Sequence, residues 1–305
     1  MRNNKILIGT RSSKLALYQS KLVQSKLEKL YPNLSFILKK IKTKGDKLIN
    51  EPLESSIEKG FFVKEIQQSL LNNDIDIAVH SLKDLPVDVP NGLKLTAILK
   101  RGNHRDSLLA RYNVDIYDQT KPLVIATSSN RRKSQLLRLN PSLKVKSIRG
   151  NIDTRISKMN DGYCDALVVA TAALERLGIS DKIFLNFTSS QMISAPAQGA
   201  IAVETRAGDK LGELIKKLDH QTTRICVNQE RLFLKTLKGG CTAPIGAHST
   251  IHDNNIIMKV IVSSLDGKKF ITKELKSEYI STTKIGLDLA NLVLKSGGRE
   301  ILSEI

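Results

Sequence analysis

Short apolar strands alternate with amphipathic helices from residue 5 to residue 177, and this alternation limits what the chain can fold into. The predicted strands lie at 5–9, 34–42, 75–79, 93–99, 123–127, 143–148 and 166–170. The predicted helices lie at 13–30, 62–71, 129–139, 152–160 and 172–177. Such alternation is typical of α/β layers with largely parallel sheets. Because the pattern restarts near residue 123, we predict two related α/β domains.

The last part of the chain follows a different pattern. An amphipathic helix is predicted over 222–237, with Cys226, Phe233 and Leu237 on one face. It is followed by predicted strands at 245–249, 256–264 and 269–275 and by a closing helix at 281–296. This pattern predicts a small α+β domain. A chain of 305 residues, 41% of them hydrophobic, is long enough for two or three packed domains.

Composition argues against several classes of protein. The apolar runs are short and the first residues lead directly into a strand, so we expect neither a signal peptide nor a membrane span. The three cysteines, at 164, 226 and 241, are an odd number without paired spacing, which favours a reducing cytoplasm over a disulfide framework. The five histidines are scattered and none pairs with a cysteine at metal-ligand spacing, so we expect no metal site.

The net charge of +18 is unevenly distributed. From Lys121 to Ile152 there are eight basic residues and no Asp or Glu. A nucleic-acid groove could have this composition, but aromatics make up only 4% of the chain and none lies in this stretch, so platforms for stacking bases are missing. A pocket for small carboxylates or phosphates fits better, because arginine presents a fork that matches these groups.

A weak internal repeat links the two predicted α/β domains. Residues 6–13 and 124–129 each read as a buried strand that runs into a hydroxyl-rich turn and a helix. Ser or Thr at a helix start caps the first amides, and those amides attract anions. Ordinary capping explains the hydroxyls equally well. Arginines lie beside both turns, however (Arg11 in one, Arg131 and Arg132 in the other), and they favour two anion sites facing each other across a cleft.

Asp84 follows the strand at 75–79 and precedes Pro86, so it is predicted on a loop at the carboxyl end of a strand, where α/β sheets bind ligands. Neighbouring Lys83 would help to keep it ionised and within reach of a substrate proton. A plain turn-forming role before a proline is an equally good reading. His80 ends an apolar strand and is interpreted as a structural hydrogen-bonding residue.

Cys241 follows Gly239 and Gly240, just past the predicted end of the helix at 222–237. A thiol on such a loop is accessible enough for covalent chemistry, although a small apolar residue in a turn is the simpler reading of the cysteine alone. Cys164 and Cys226 are interpreted as buried core thiols.

Taken together, these segments closely resemble the porphobilinogen deaminase family. The matching segments, in chain order, are Ile8–Ala16, Gly60–Glu65, Val79–Pro86, Arg105–Arg111, Thr127–Arg132, Ile148–Arg155, Ala195–Ala200 and Gly239–His248. Because all of them occur in order along nearly the whole chain, the resemblance is specific.

The resemblance implies an enzyme of three domains. The first two, 1–99 with 195–219 and 100–194, are α/β domains built like a periplasmic binding protein and flank a cleft; the third, 220–305, is α+β. In this family four porphobilinogen units join head to tail on a covalent dipyrromethane cofactor, each losing ammonia, and water releases hydroxymethylbilane. A cytoplasmic monomer that binds neither nucleic acid nor membrane is expected.

The resemblance also implies roles for individual residues. Asp84 matches the family's general acid and base, and Cys241 matches the cysteine that holds the cofactor through a thioether. Lys59 and Phe62 fall in the active-site loop. The implied carboxylate-binding residues are Arg11, Ser13, Ser81, Lys83, Thr127, Ser129, Arg131, Arg132, Arg149, Arg155, Arg176 and Gln198.

Three positions depart from the family's pattern. Asn130 replaces a leucine in Ser-Ser-Leu-Arg-Arg, Ala197 replaces the first glycine of Pro-Gly-Gln-Gly-Ala, and the loop at 55–59 has fewer glycines than usual. Ala197 is expected to stiffen a crossover between domains.

Two other kinds of protein are alternatives. A non-enzymatic two-lobed module that binds an organic anion would account for the fold and the arginines, but it leaves Cys241 and Asp84 without a role. A nucleic-acid binder would account for the charge.

Overall fold

The computed structural model describes residues 5–42, 63–239, 243–280 and 283–304. The chain divides into two compact units, Met1–Gly102 with Gly199–Arg224 (unit 1) and Asn103–Gln198 with Ile225–Ile305 (unit 2). The finer division into three domains, with boundaries at 99, 194 and 219, stays a prediction.

In chain order, the strands of the described residues are β1 (Lys5–Thr10), β2 (Ser35–Lys40), β3 (Ile77–Ser81), β4 (Leu93–Ile98), β5 (Asp106–Ala110), β6 (Val124–Ala126), β7 (Lys144–Lys146), β8 (Ala166–Ala170), β9 (Leu185–Asn186), β10 (Ile201–Arg206), β11 (Ile245–His252), β12 (Asn255–Ser263) and β13 (Phe270–Glu278). The α-helices are α1 (Lys14–Leu30), α2 (Lys64–Leu71), α3 (Asn130–Leu139), α4 (Ile152–Asn160), α5 (Thr171–Leu177), α6 (Leu211–Ile215), α7 (Gln221–Thr236), α8 (Ile285–Val293) and α9 (Arg299–Ser303).

Each unit contains a five-stranded sheet, and the two sheets have the same strand order. Unit 1 has β2-β1-β3-β10-β4 and unit 2 has β7-β6-β8-β5-β9. In both sheets the first three strands are parallel, and the fourth runs antiparallel to its two neighbours. The predicted pair of related α/β domains is therefore confirmed.

Unit 2 also contains a third sheet, which is antiparallel with the order β11-β12-β13. Its apolar side chains pack with those of α7, α8 and α9 in one core that includes Phe233, Met258, Val260 and Leu289. The α+β pattern predicted for the last part of the chain is confirmed.

Three strands were not predicted from the sequence: the two-residue β9, and β5 and β10, which run antiparallel to both of their neighbours in the two large sheets. β5 begins with buried Asp106 and Ser107, and β10 carries buried Glu204 and Thr205. These polar side chains interrupt the apolar run by which a buried strand is recognised. The strand predicted at 75–79 also lies two residues later, as β3.

The closing helix is shorter than predicted. Residues 281 and 282 lie outside the described residues, α8 covers Ile285–Val293, and a π-type turn over Leu294–Gly298 leads into α9. Gly297 has a φ of 95°, which breaks the helical path there.

Candidate active site

In unit 1 a hydroxyl-rich turn connects β1 to α1, as the sequence predicted. Ser13 precedes α1, and its hydroxyl accepts the backbone N–H of Ala16 at 3.3 Å. The first turn of α1 contains no acidic residue, so nothing there opposes the positive end of the helix dipole. This helix start therefore forms a surface suited to anions.

A surface depression adjoins this helix start. Its lining includes Arg11, Ser13, Leu15, Ala16, Gln19, Val63, Val79, His80, Ser81 and Asp84. Arg11 is half-buried in the turn between β1 and α1. The Ser81 hydroxyl lies 2.8 Å from Nε2 of Gln19, which is buried on α1. A basic group, hydroxyls and a carboxylate thus share one depression.

Asp84 lies where the sequence placed it. It ends a short 3-10 turn, Leu82–Asp84, that directly follows β3, so it stands at the carboxyl edge of the parallel strands. Its side chain is exposed, whereas Leu82 is fully buried and anchors the turn in the core. Lys83 is half-buried between them. The turn therefore fixes the backbone of Asp84 while its carboxylate stays accessible.

His80, in the same depression, touches a buried acid that sequence reasoning missed. Nε2 of His80 lies 3.1 Å from Oε2 of Glu204, whose side chain is 1% exposed. The Gln67 amide on α2 donates to both oxygens of Glu204 at 3.1 Å. This contact agrees with a structural role for His80. An acidic residue inside an apolar strand was the available signal.

In unit 2 the second hydroxyl-rich turn leads from β6 into α3. The Ser129 hydroxyl accepts the backbone N–H of Arg132 at 3.4 Å, and the first turn of α3 contains no acidic residue. Thr127 is buried and Ser129 is half-buried. The two predicted copies of the strand, turn and helix are thus present.

Arg131 and Arg132, at the start of α3, point into the protein. Nη1 of Arg131 lies 2.8 Å from Oδ2 of Asp106, and Arg132 places Nε at 2.9 Å and Nη2 at 2.8 Å from Oδ1. Burial alone would raise the pKa of Asp106, but the charges of Arg131 and Arg132 outweigh it and hold that pKa far below its usual range. The two arginines are therefore buried partners of one ionised carboxylate.

Gln198 belongs to the same network. It is fully buried, and its Nε2 donates to the carbonyls of His104 and Arg105 at 2.8 and 3.1 Å and to Oδ1 of Asp106 at 3.0 Å. Its amide nitrogen thus ties the segment before β5 to the segment before β10. Sequence reasoning grouped Gln198 with the carboxylate-binding residues and missed Asp106.

The other predicted basic residues of unit 2 lie on separate elements. Arg149 is half-buried before α4, and Nε of half-buried Arg155 donates to the Gly150 carbonyl at 2.7 Å. Arg176 is half-buried in the last turn of α5. Their binding roles stay predictions.

Cys241, Lys59 and Phe62 lie outside the described residues, but the chain before Cys241 is described as far as Gly239. Helix α7 ends at Thr236, and Lys238, with a φ of 54°, is the left-handed residue after it. The Gly239 N–H donates to the Leu234 carbonyl at 3.1 Å. A Cβ at Gly239 would lie 2.4 Å from Cδ1 of Ile245, so the close approach of that side chain requires glycine there.

Cys164 and Cys226 are both buried, as predicted. Across 5–42, 63–239, 243–280 and 283–304, no three His, Cys, Asp or Glu side chains are grouped as a metal site requires. No helix in that part of the chain is both long and apolar enough to cross a membrane.

Comparison with known proteins gives the following matches. Residues 6–213 match the family model "Porphobilinogen deaminase, dipyromethane cofactor binding domain", and residues 224–295 match "Porphobilinogen deaminase, C-terminal domain". The porphobilinogen deaminase of Chloroherpeton thalassium is 42% identical over 98% of this chain and 97% of its own length. That of Thermus thermophilus is 41% identical over 98% of this chain and 99% of its own length.

Among solved structures, two TRAP periplasmic solute binding proteins are similar in part. The protein from Pseudomonas putida has a TM-score of 0.41 and 10% identity, covering 77% of this chain and 82% of its own. The protein from Desulfovibrio salexigens has a TM-score of 0.43 and 10% identity, covering 73% of this chain and 74% of its own. The family models and full-length relatives carry the assignment: the chain belongs to the porphobilinogen deaminase family.

Proposed function

We propose that the chain joins four porphobilinogen molecules head to tail, with loss of ammonia from each, and releases hydroxymethylbilane by hydrolysis. This activity makes it a transferase of tetrapyrrole and haem biosynthesis, in accord with its family. The observation that carries the proposal is the depression of unit 1, where Asp84 lies with Arg11 and the capped start of α1. A substrate with two carboxylates and a leaving amine needs such a combination of acid and anion-binding groups.

Asp84 has the chemistry for proton transfer and for charge stabilisation. When its carboxyl group is protonated, it can hand that proton to the departing nitrogen. When it is ionised, it stabilises the cationic methylene-pyrrole that remains after the amine leaves. Both roles require an accessible carboxylate on a fixed backbone. Asp84 meets this requirement, because it is exposed at the end of a turn whose first residue, Leu82, is buried in the core.

In unit 1 we assign substrate carboxylates to Arg11 and to the start of α1. The guanidinium fork of arginine matches a carboxylate, and the acid-free helix start attracts negative charge. Ser13, Ser81 and Lys83 support this surface. Lys59 and Phe62, which lie outside the described residues, are assigned to the active-site loop of the family.

The donors of unit 2 fit the dipyrromethane cofactor that the matching family model names. That group carries acetate and propionate carboxylates, and the start of α3 is capped by Ser129 and free of acids in its first turn. When bound, it supplies a tethered pyrrole to which new units are attached. We assign its thioether to Cys241. Its carboxylate-binding residues are assigned as Thr127, Ser129, Arg131, Arg132, Arg149, Arg155 and Arg176.

We further propose that the enzyme works as a cytoplasmic monomer and binds neither nucleic acid nor membrane. The odd number of cysteines supports a reducing compartment. Light scattering should give the mass of one 33.8 kDa chain with its cofactor. A dimer mass would contradict the monomer without affecting the proposed reaction.

Intact mass spectrometry tests the proposed function. Purified active enzyme should exceed 33.8 kDa by two condensed porphobilinogen units. Limited substrate should add further single units as a ladder, because the product grows while it is tethered. Active protein that carries no added mass would contradict the proposal.

Three cysteine variants locate the added mass. Cys241→Ala should purify without it and without activity, whereas Cys164→Ala and Cys226→Ala should stay loaded, because both thiols are buried in the core. Peptide mapping should place the modification on the peptide that contains Cys241. Loading of Cys241→Ala would move the attachment elsewhere.

The same proteins separate the alternative functions. Loaded enzyme should give colour with an acidic aldehyde reagent, which an anion-binding module or a nucleic-acid binder would not give. Asp84→Asn should keep the fold and the added mass but lose nearly all turnover, because an amide can neither donate the proton nor balance a cation. Near wild-type product formation by Asp84→Asn would reduce Asp84 to a turn residue.

A further inference from the structure

Two consecutive arginines converge on one buried point in unit 2. Neighbouring residues of an α-helix point about 100° apart, so their side chains converge only if other groups hold them. Asp106 takes Arg131 on one oxygen and Arg132 on the other. The Ile193 carbonyl accepts a further bond from Arg131 at 2.8 Å, and the Val168 carbonyl accepts one from Arg132 at 3.1 Å. Asp106 is the charged group common to both.

This point lies at the ligand-binding edge of the sheet. Asp106 is the first residue of β5 and is paired with Ala170, the last residue of β8. Thr127 directly follows β6, which is parallel to β8. Both arginines therefore sit at the carboxyl edge of the parallel strands, next to a turn in which Ser128 is exposed.

The three side chains do not cancel in charge. Asp106 stays ionised at neutral pH because the arginines hold its pKa far below the usual range, against the effect of burial. Together Asp106, Arg131 and Arg132 carry a net charge of +1. That charge lies at the start of α3, where the helix dipole adds to it, and burial limits its screening by water.

We propose that Asp106 is a positioning residue for cofactor loading: its carboxylate fixes the guanidinium groups of Arg131 and Arg132 so that the turn before α3 receives ligand carboxylates. This inference rests on the proposed function. Gln198 assists by donating to Oδ1 of Asp106 from the segment before β10.

Three roles for Asp106 predict different results for Asp106→Asn. If Asp106 positions the arginines, folded variant protein should load its cofactor more slowly, although the network has become more positive. If only net charge mattered, loading should be as fast or faster. If Asp106 only stabilised the fold, the folded fraction should fall while the folded molecules load at the wild-type rate.

Loading is measured directly on protein purified from cells that make no porphobilinogen. The protein is incubated with porphobilinogen, and intact mass spectrometry follows the fraction that gains two condensed units. Circular dichroism gives the folded fraction of the same sample. Per folded molecule, Asp106→Asn should load about 10- to 100-fold more slowly, because misplacing a group by about 1 Å can cost that much. Loading at or above the wild-type rate would overturn the proposal.

Asp165→Asn is the matched control. Asp165 is half-buried in unit 2, and its Oδ2 accepts the Val124 N–H at 2.8 Å. It is not part of the hydrogen-bond network that joins Asp106 to Arg131 and Arg132. This variant should load at the wild-type rate. Equal slowing of Asp165→Asn and Asp106→Asn would show that general destabilisation causes the effect, and would overturn the positioning role.

Asp106→Glu provides the test if Asp106→Asn does not accumulate as folded protein. Glutamate keeps the negative charge but moves the carboxylate by one methylene, so the arginines shift while the network stays paired. Slowed loading of folded Asp106→Glu supports the proposal, and wild-type loading overturns it. If wild-type protein itself gains no mass on the Cys241 peptide, the proposed function has failed, independently of Asp106.

Discussion

The two five-stranded sheets share one strand order, and each buries an acid on its antiparallel strand, but the two acids differ in position and partners. Asp106 begins β5 at the carboxyl edge of its sheet and faces two arginines. Glu204 lies deeper, opposite Ala78 rather than the end of β3, and contacts His80 and Gln67. Because ligands bind at the carboxyl edge, Asp106 is the one of these two buried acids that lies beside such a surface.

The difference fits a division of labour within one topology. In unit 1 the exposed acid is Asp84, in the turn that follows a parallel strand, and the buried acid Glu204 only supports the wall of the depression. In unit 2 two arginines, Arg131 and Arg132, outnumber the one acid, Asp106, and Asp106 orients them. A repeated fold can therefore supply proton transfer in one copy and carboxylate binding in the other.

The largest expected effect comes from neutralising the two buried acids in turn. Asp106→Asn leaves two buried guanidinium groups without their carboxylate and should lower the free energy of unfolding by about 3–5 kcal/mol. Glu204 contacts an amide and a histidine rather than two arginines, so Glu204→Gln should lower the free energy of unfolding by only roughly 1–3 kcal/mol. Urea unfolding monitored by circular dichroism measures the free energy of unfolding of both variants. Equal losses would mean that the two networks are energetically alike.

The arginines of the two turns should differ in what they control. Arg132→Leu removes half of the buried network and should slow cofactor loading about 10- to 100-fold, as expected when positioning is lost. Arg11→Leu, in the other unit, should leave loading intact and raise the KM for porphobilinogen, because Arg11 is half-buried at the proposed substrate surface. Intact mass and steady-state kinetics give the two readouts. Fully loaded and fully active Arg132→Leu would contradict the assignment of that turn.

Acid should weaken the network of unit 2 in a defined direction. Burial raises the pKa of Asp106, but its arginine partners lower it by a larger amount. The pKa in the folded protein therefore lies below the unfolded value of about 3.9. A group with a lowered pKa stabilises the fold above its unfolded pKa, and that contribution is lost as pH falls towards the folded value.

The stability difference between wild type and Asp106→Asn should therefore be constant near neutral pH. Below about pH 4 it should shrink by up to roughly 1.4 kcal/mol per pH unit. Urea unfolding at a series of pH values measures it. A difference that grows on acidification would show that Asp106 is not the ionised partner of the arginines.

Much of this fold could be predicted from periodicity, and the two longer strands that were missed share one cause. Helix α4 and strand β8 lie where the pattern placed them, because their apolar spacing reports directly on burial. β5 and β10 were missed because each buries an acid whose partners come from distant segments. No local pattern reveals that Arg131 and Arg132 will share Asp106.

The site was predicted in the same uneven way. Asp84 and Ser13 are local features, a strand end and a helix cap, and both lie where expected. The arginines of α3 were expected to bind ligand carboxylates, which stays a prediction, and their bonds to buried Asp106 are what local sequence does not show. Helix α7 was expected to end at the glycine pair, yet the residue with positive φ after it is Lys238. Gly239 is needed for a different reason, because a Cβ there would clash with Ile245.

The smallest expected effect concerns how the chain enters its two antiparallel strands. The segment before β10 contains Ala197 with a φ of 62°, whereas residues 99–105, before β5, contain no residue with positive φ. The Ala197 N–H donates to Oε2 of fully buried Glu230 at 2.6 Å, which holds the alanine in this conformation. A non-glycine residue there costs about 1–2 kcal/mol.

Ala197→Gly should therefore raise the free energy of unfolding by about 1 kcal/mol, the relief of strain exceeding the entropy that glycine adds to the unfolded chain. Ala200→Gly is the control from the same segment, because Ala200 is buried with an ordinary φ, and it should lower stability by roughly 0.5–1 kcal/mol. Urea unfolding of both variants decides the sign. If Ala197→Gly is destabilising like its control, the left-handed alanine stores no strain, and the entries to the two antiparallel strands are equivalent.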